Sequence, residues 1–123
     1  MTVQSTHKRK LGDSGEDLAV SYLKSRGYSI LERNFRALRG EIDIIARDQN
    51  TLVFIEVKTA SSRKFGSPET WVGRRKQLQI GKIAGLYLAK EKKHDINCRF
   101  DVISILITAR NHHLRHFKDA FWL

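Results

Sequence analysis

Two short segments that alternate apolar and charged residues constrain this chain more than any other feature. They are EIDIIA at residues 41–46 and TLVFIEVKT at residues 51–59. Successive side chains of a strand point to opposite faces, so both segments are predicted to be strands. Because only a few polar residues separate them, they are expected to pair as an antiparallel hairpin. With the turn centred on Gln49 and Asn50, Asp43 lies opposite Glu56.

The alternation sorts the hairpin side chains onto two faces. One face is apolar and is predicted to be core; it consists of Ile42, Ile44, Ala46, Val53, Ile55 and Val57. The other face carries Glu41, Asp43, Glu56 and Lys58. A pairing shifted by one residue would turn Glu56 into the core, where an unpaired carboxylate is costly. Burial therefore favours the register in which Asp43 faces Glu56.

The pair formed by Asp43 and Glu56 suggests a metal site. Their β-carbons would be about 5 Å apart, a spacing at which like charges destabilise a sheet unless something compensates. Two carboxylates so placed suit Mg²⁺ or Mn²⁺. Lys58 lies on the same face, where its ammonium group could hold an attacking water or stabilise charge on a phosphate. These residues indicate phosphodiester hydrolysis; the alternative is a solvated sheet surface on which Glu41 pairs with Lys58.

The remaining patterns predict one mixed α/β domain. Residues 1–12 are basic and lack periodicity, so they are expected to form a flexible arm ahead of a single domain at residues 13–123. Asp13 or Ser14 can cap a helix that ends near residue 26, before a stop at Gly27. The further elements are a strand at 28–35, a helix capped by Ser67 with Pro68 in its first turn, a buried strand at 98–107 and an edge strand at 114–123. The order αβββαβ, with a weaker final strand, predicts a mixed sheet flanked by helices.

Two helical residues could extend the candidate site. Glu16 is followed at helical spacing by Ala19 and Leu23, so it lies on or beside the buried face and could add a third carboxylate. The alternative is a first-turn acid that the helix dipole favours. Gln77 precedes Ile80 by three residues and lies at the edge of the face that meets the sheet. It could orient a phosphate or a water, or it could be an ordinary boundary residue.

The charge of the chain points to a polyanionic partner. The chain contains 23 Lys and Arg against 13 Asp and Glu, which gives a formal net charge of +10. Nucleic acid is the partner that such a charge predicts, and an acidic protein is the alternative. The basic residues expected to contact phosphates around the candidate site are Lys58, Arg63, Lys64, Arg74, Arg75, Lys76 and Lys82. Such contacts predict binding that weakens steeply with salt.

Other features predict a cytoplasmic protein that does not enter a membrane. Cys98 is the only cysteine, which is typical of a reducing compartment. The first residues lack the apolar segment of a secretory signal, and no apolar run approaches the roughly 20 residues of a membrane span. Asp101 lies within the last long strand and is expected to need a partner, either an arginine or a group at the edge of the candidate site. His112, His113 and His116 are expected on a solvated edge.

Several motifs of this chain resemble those of a known nuclease superfamily. Asp43, followed after the hairpin turn by Glu56-Val57-Lys58 and preceded by Glu16 on a helix, is similar to the PD-(D/E)xK signature of restriction-endonuclease-like nucleases, which include archaeal Holliday junction resolvases. The chain resembles more closely the YraN-like family of small bacterial predicted endonucleases. The motifs shared with that family are GEDLA at 15–19, GEIDIIA at 40–46, FIEVKT at 54–59, KQ at 76–77 and FDVI at 100–103. Ile42 stands where the signature has proline.

The resemblance implies a restriction-endonuclease-like αβββαβ core and a role for each matched residue. It implies that Asp43, Glu56 and the carbonyl of Val57 bind the metal, with Lys58 as the catalytic lysine. Glu16 would reach the metal directly or through water, and Gln77 would assist the site. We therefore expect an Mg²⁺- or Mn²⁺-dependent endonuclease for structured or branched DNA, with a homodimer as the analogous assembly. The alternative is a nucleic-acid-binding module that keeps the fold without catalysis.

Overall fold

The computed structural model describes residues 3–61, 72–93 and 95–122, with side chains from residue 14 onward. The chain forms a mixed α/β fold in the order αβββαββ. Its elements are α1 (Val3–Ser25), β1 (Ser29–Ala37), β2 (Gly40–Asp48), β3 (Thr51–Ala60), α2 (Arg74–Lys90), β4 (Asn97–Ile107) and β5 (His112–Phe117). The predicted fold class is confirmed, and the arrangement is consistent with a restriction-endonuclease-like core.

The five strands form one sheet in the order β1-β2-β3-β4-β5. Neighbouring strands are antiparallel except β3 and β4, which are parallel because α2 connects them. The predicted hairpin register is confirmed in all the pairs of β2 and β3, from Asp48 with Thr51 to Ile44 with Ile55. This register brings the ends of β2 and β3 that carry Asp43 and Glu56 to the same part of the sheet.

The sheet separates two apolar clusters, one under each helix. Helix α1 covers the cluster that contains Ile44, Val53 and Ile55, whereas α2 covers the cluster that contains Ile45 and Phe54. The stripe of α2 that was predicted to be apolar is buried, and it consists of Ile80, Ile83, Ala84 and Tyr87. Both faces at the centre of the sheet are therefore covered by a helix. Charged side chains of β2 and β3 lie beside the first turns of α2.

Both helices begin at positions that differ from those expected. Helix α1 begins at Val3, so it includes most of the segment that was predicted to be a flexible arm. Extending a formed helix by one residue is far easier than starting one, and this explains how α1 extends beyond the expected cap at Asp13 or Ser14. Helix α2 begins at Arg74, because its N-cap Gly73 takes extended backbone angles (φ −68°, ψ 164°) that a helix cannot run through. Ser67 and Pro68 lie outside the described residues.

Helix α1 ends as the sequence predicted. Gly27 has φ of 87°, a left-handed conformation that glycine adopts at low cost. The N–H groups of Gly27 and Tyr28 donate to the carbonyls of Lys24 and Leu23, which closes the last turn.

Among the described residues, no helix combines the length and the apolar character needed to cross a membrane.

Candidate active site

A surface cavity of about 720 Å³ lies where the ends of β2 and β3 meet the first turns of α2. It brings together three acidic and three basic side chains that are far apart in the chain. These are Glu41, Asp43, Glu56, Lys58, Arg75 and Lys76. The cavity is therefore polar on its rim and contains the carboxylates and the lysine that the sequence predicted as one site.

Asp43 interrupts the regular alternation of β2. Ile42 was predicted on the same face as Ile44, but it packs in the cluster under α2, while Ile44 packs in the cluster under α1. The prediction for Ile42 is therefore wrong, because the two-residue period breaks at Asp43. Asn34 lies opposite Asp43 in the register of β1 and β2, and it has a left-handed φ of 53°. On the other side, the Asp43 Oδ2 atom accepts a hydrogen bond from the N–H of Val57 at 2.8 Å.

Glu56 is the most deeply buried carboxylate of the cavity. Its side chain is 9% exposed, and its Oε2 atom lies 3.0 Å from the Nζ atom of Lys76. Its Oε1 atom is buried and has no hydrogen-bond partner in the part of the chain that the structure describes. A buried carboxylate oxygen without a donor is costly, so this oxygen is a position where a cationic or donating ligand would be stabilised.

Burial and neighbouring charges disfavour the ionised forms of the carboxylates at this site. Burial, the charge of Glu56 and more distant charges on Glu16 and Glu41 raise the pKa of Asp43 to about 8, although the hydrogen bond from Val57 opposes this. Burial also raises the pKa of Glu56, in spite of the nearby Lys76. Burial opposes the charge of Lys76, but Glu56 and Asp43 raise the pKa of this ammonium above its usual value. Ionising both carboxylates in this site is therefore unfavourable, and Lys76 offsets that cost only in part.

Lys76 was expected as a phosphate contact at the edge of the helix face that meets the sheet, and the structure places it within the cavity, beside Glu56. The signal for this position was present in the sequence, because Lys76 precedes the buried Ile80 by four residues and so shares its helix face. Lys58 is exposed and lines the same cavity, as expected. Glu41 also lines it and pairs with Arg36, whose Nε atom is 3.3 Å from Glu41 Oε2; the alternative pairing of Glu41 with Lys58 is not found.

Glu16 lies close enough to act on Asp43 through its charge, but it does not join a ligand cluster. In the described parts of the chain, no group of three or more His, Cys, Asp and Glu side chains is arranged to hold a metal ion. The position of Glu16 depends on the neighbouring Gly15, which packs directly against the side chain of Thr59 on β3. This close contact between α1 and β3 sets the distance of Glu16 from the carboxylates.

We expect the substitution Gly15→Ala to displace α1 from β3. A methyl group at this position would overlap the Oγ1 atom of Thr59, so the helix or the strand must shift. Overpacking of this kind costs about 1–3 kcal/mol in the free energy of unfolding, which urea denaturation would measure. The double variant Gly15→Ala with Thr59→Ala should recover part of the loss. A single variant as stable as the wild type would contradict the contact.

Gln77 does not line the cavity, and Gln79 lines it instead. The Nε2 atom of Gln77 donates to the carbonyl of Val72 at 2.9 Å, and its Oε1 atom accepts from Arg74. Gln77 therefore stabilises the start of α2, which is the boundary role that the sequence had left open.

The remaining basic residues that were expected to contact phosphates lie in different places. Arg75 lines the cavity, Arg74 donates to the carbonyl of Trp122, and Lys82 lies farther along α2. Arg63 and Lys64 lie outside the described residues.

Comparison with known proteins identifies the family. The model of the uncharacterised protein family UPF0102 matches residues 15–105, which include every residue that lines the cavity. The chain belongs to the UPF0102 family. A UPF0102 protein of Geobacter metallireducens is 50% identical over 119 residues, which are 97% of this chain and 98% of the relative. One of Syntrophus aciditrophicus is 43% identical over all 123 residues and 97% of the relative. These names state the family and no reaction.

The UPF0102 site fits a hard divalent cation by the chemistry of its donors. Asp43 and Glu56 supply carboxylate oxygens, and the orphaned Oε1 atom of Glu56 is the position that most lacks a partner. Burial raises the pKa values of both carboxylates, and the charge of Glu56 adds to this at Asp43, so a bound cation would offset the cost of ionising them. Mg²⁺ and Mn²⁺ commonly take one or two protein carboxylates and complete their shell with water and phosphate oxygens, so two carboxylates suffice.

The raised pKa of Asp43 predicts that this UPF0102 protein becomes less stable as the pH rises. In the folded state Asp43 keeps its proton up to a pH of about 8, whereas in the unfolded chain it releases it near its ordinary value of 3.8. The folded state therefore binds more protons between these limits, and stability falls with rising pH by up to about 1.4 kcal/mol per unit. Thermal unfolding in EDTA between pH 5 and 9 measures this slope. Asp43→Asn should flatten it, and an unchanged slope in that variant would contradict the prediction.

Proposed function

We propose that this UPF0102 protein is a metal-dependent endonuclease that hydrolyses phosphodiester bonds in structured or branched DNA. The observation that carries the proposal is the buried Oε1 atom of Glu56, which has no hydrogen-bond partner among the described residues, in a cavity that Asp43 and three basic side chains also line. This combination favours a cation within the site and a polyanion across it. The similarity to the PD-(D/E)xK signature adds support from the spacing of Asp43, Glu56 and Lys58.

In this proposal, different residues of the cavity bind the metal, position the attacking water and bind the phosphate. Asp43 and Glu56 would hold Mg²⁺ or Mn²⁺, with the Val57 carbonyl as a further ligand and Glu16 acting through water or charge. The bound ion would polarise the scissile phosphate and lower the pKa of a water. Lys58, exposed at the rim, would hold the attacking water or stabilise charge on the phosphate. Arg75 would bind the phosphate backbone on the opposite side of the cavity.

Lys76 would have two roles, one before and one after a metal ion binds. In the absence of a cation its ammonium group neutralises Glu56 at 3.0 Å. When Glu56 is engaged by a metal ion, Lys76 would be released to contact the substrate phosphate. Lys76 would therefore keep a site of buried carboxylates folded before the metal arrives, and bind the nucleic acid afterwards.

The charge of +10 supports DNA as the partner of a cytoplasmic protein. Two copies could pair their sites by a twofold axis, as enzymes that cut both strands of a branch require; a dimer would be visible in sedimentation. A nucleic-acid-binding module without catalysis is the competing function, and the same charge supports it equally. Only the buried carboxylates favour the nuclease over the module.

Cleavage assays decide between these functions. Labelled linear, single-stranded, flapped and four-way DNA, together with RNA, would be incubated with Mg²⁺, Mn²⁺ or EDTA. We expect metal-dependent cutting that Lys58→Ala reduces strongly, while Lys24→Ala, on the last turn of α1 and away from the cavity, does not. Salt-sensitive binding without cutting of any substrate would favour the binding module. Failure to bind any nucleic acid at moderate salt would contradict both.

A further inference from the structure

A second groove, of about 730 Å³, lies directly beside the candidate site. Arg75 and Gln79 line both cavities, so the two are continuous along the outer side of α2. The groove is completed by Leu38, Leu78 and Lys82. Leu38 and Leu78 have no place in the function proposed above, and Lys82 was expected only as a phosphate contact.

The groove has an apolar floor that is open to solvent. Leu38 is 52% exposed and Leu78 is 47% exposed, and they are two of the four large hydrophobic residues exposed among the described ones. Their side chains come from different elements, the turn between β1 and β2 and the first half of α2. Two leucines from separate elements that meet at one exposed groove form an apolar surface that can contact a ligand.

The turn that carries Leu38 is strained and is held in place. Leu38 and Arg39 have φ of 50° and 60°, a left-handed conformation that costs a bulky side chain free energy and that asparagine or glycine would adopt readily. The Nε2 atom of Gln79 donates to the Leu38 carbonyl at 2.9 Å and ties the turn to α2. Gly40 makes this approach possible, because a β-carbon there would lie 2.8 Å from the same Nε2 atom. The fold therefore tolerates strain to present a leucine outward at a fixed position.

The charges around the groove select its occupant. Arg75 and Lys82 line it and Arg39 is exposed beside it, and no acidic residue is among the described residues that line it. A second copy of a chain with a net charge of +10 would bring like charges together on this surface. A nucleotide instead has an apolar ring face that can pack on the leucines and a phosphate that can pair with the basic side chains. Its phosphate backbone would continue into the adjoining candidate site.

We propose that Leu38 and Leu78 form a wedge that packs against an unstacked base next to the cleaved phosphate, and that this wedge makes the protein prefer DNA with an interrupted helix. Apolar side chains of this size insert between base steps in other protein–DNA complexes, and the cost is the loss of stacking. That cost is smallest where the stack is already broken, at a nick, a flap or a branch. The inference rests on the proposed function, and it names the residues that select the substrate.

Equilibrium binding in EDTA tests the wedge without any need for catalysis. Two duplexes of one sequence, one continuous and one with a central nick, would carry 2-aminopurine beside the nick position, whose fluorescence rises when the base unstacks. Leu38→Asn removes the apolar side chain and relieves the strained φ, and Leu78→Ala shortens the second leucine. Leu86→Ala is the matched control, because Leu86 lies on the same helix with 46% exposure but outside the groove.

We expect the wild type and Leu86→Ala to bind the nicked duplex more tightly and to raise its fluorescence. Leu38→Asn and Leu78→Ala should each reduce the ratio of the two affinities by about tenfold, which is about 1.4 kcal/mol, and lose the fluorescence increase. Equal wild-type affinity for both duplexes, or an unchanged ratio in both variants, would overturn the wedge even if the protein cleaves DNA. Wild-type discrimination that both variants lose would support the wedge even if no cleavage is ever found.

Discussion

Replacing Asp43 by asparagine is expected to reduce metal-dependent cleavage by about a thousandfold while making the metal-free protein harder to unfold. The loss of activity follows from the proposed role of Asp43 as one of two carboxylates that hold the metal. The gain in stability follows from the burial of this carboxylate and the nearby charge of Glu56, which together raise its pKa to about 8. Asparagine removes one of the mutually repelling charges and can keep the hydrogen bond from Val57 through its own carbonyl oxygen.

The gain should be about 1 kcal/mol, or roughly 4 °C in the unfolding temperature, at pH 8 in EDTA. Single-turnover cleavage and thermal unfolding of the same preparation measure both effects. Asp95→Asn, at an exposed position outside the cavity, should change neither. A variant that is inactive and also less stable would indicate a structural role for Asp43. A variant that cuts at the wild-type rate would exclude Asp43 from the reaction.

The second large effect is expected at Asp101, a fully buried carboxylate on the α1 side of the sheet. Its oxygens accept hydrogen bonds from Arg99 Nε at 3.0 Å, from His116 Nε2 at 2.7 Å and from the N–H of Asp119 at 3.1 Å. Although burial alone would raise it, these donors hold the pKa of Asp101 below its usual value. The predicted arginine partner is confirmed, and Asp101 does not line the candidate site.

This carboxylate is the centre of a network that joins α1, β4, β5 and the connection between α1 and β1. Arg99 also donates to the hydroxyl of Tyr28 at 2.8 Å, and His116 is 3.0 Å from the hydroxyl of Tyr22 on α1. His116 is therefore buried, and the expectation that it lies on a solvated edge is wrong, whereas His112 and His113 are exposed. The sequence could not show this, because the pairing of β5 with β4 turns His116 inward.

Asp101→Ala should lower the free energy of unfolding by about 3–5 kcal/mol, because it leaves Arg99 and His116 buried without their common acceptor. Urea denaturation measures this loss. Asp48→Ala is the control, since Asp48 forms an ion pair with the same arginine at 3.4 Å and at a more exposed position, and its loss should cost less than about 1 kcal/mol. Equal losses in the two variants would show that the network adds nothing at Asp101.

Local patterns predicted the parts of the site that depend on one strand pair or one helix. The register of β2 and β3 followed from turn position and burial as far as the last pair, Ile44 with Ile55. Asp43 and Glu56 lie just beyond that pair and line one cavity, although they are not themselves paired. The buried stripe of α2 followed from its spacing. The break in alternation at Asp43 could not be predicted, because it involves contacts with two other strands. The N–H of Val57 on β3 donates a hydrogen bond to the Asp43 carboxylate, and Asn34 on β1 is left-handed.

By itself the sequence determined the identity and order of the elements, the hairpin register and the acidic and basic residues of one site, since periodicity and charge act over a few neighbouring residues. Tertiary structure alone decided which partner each of the helix residues near that site contacts. It put Lys76 on Glu56, moved Gln77 to the start of α2 and placed Gln79 against the strained turn at Leu38. These contacts join residues far apart in the chain, and their geometry is set by how α2 packs on the sheet.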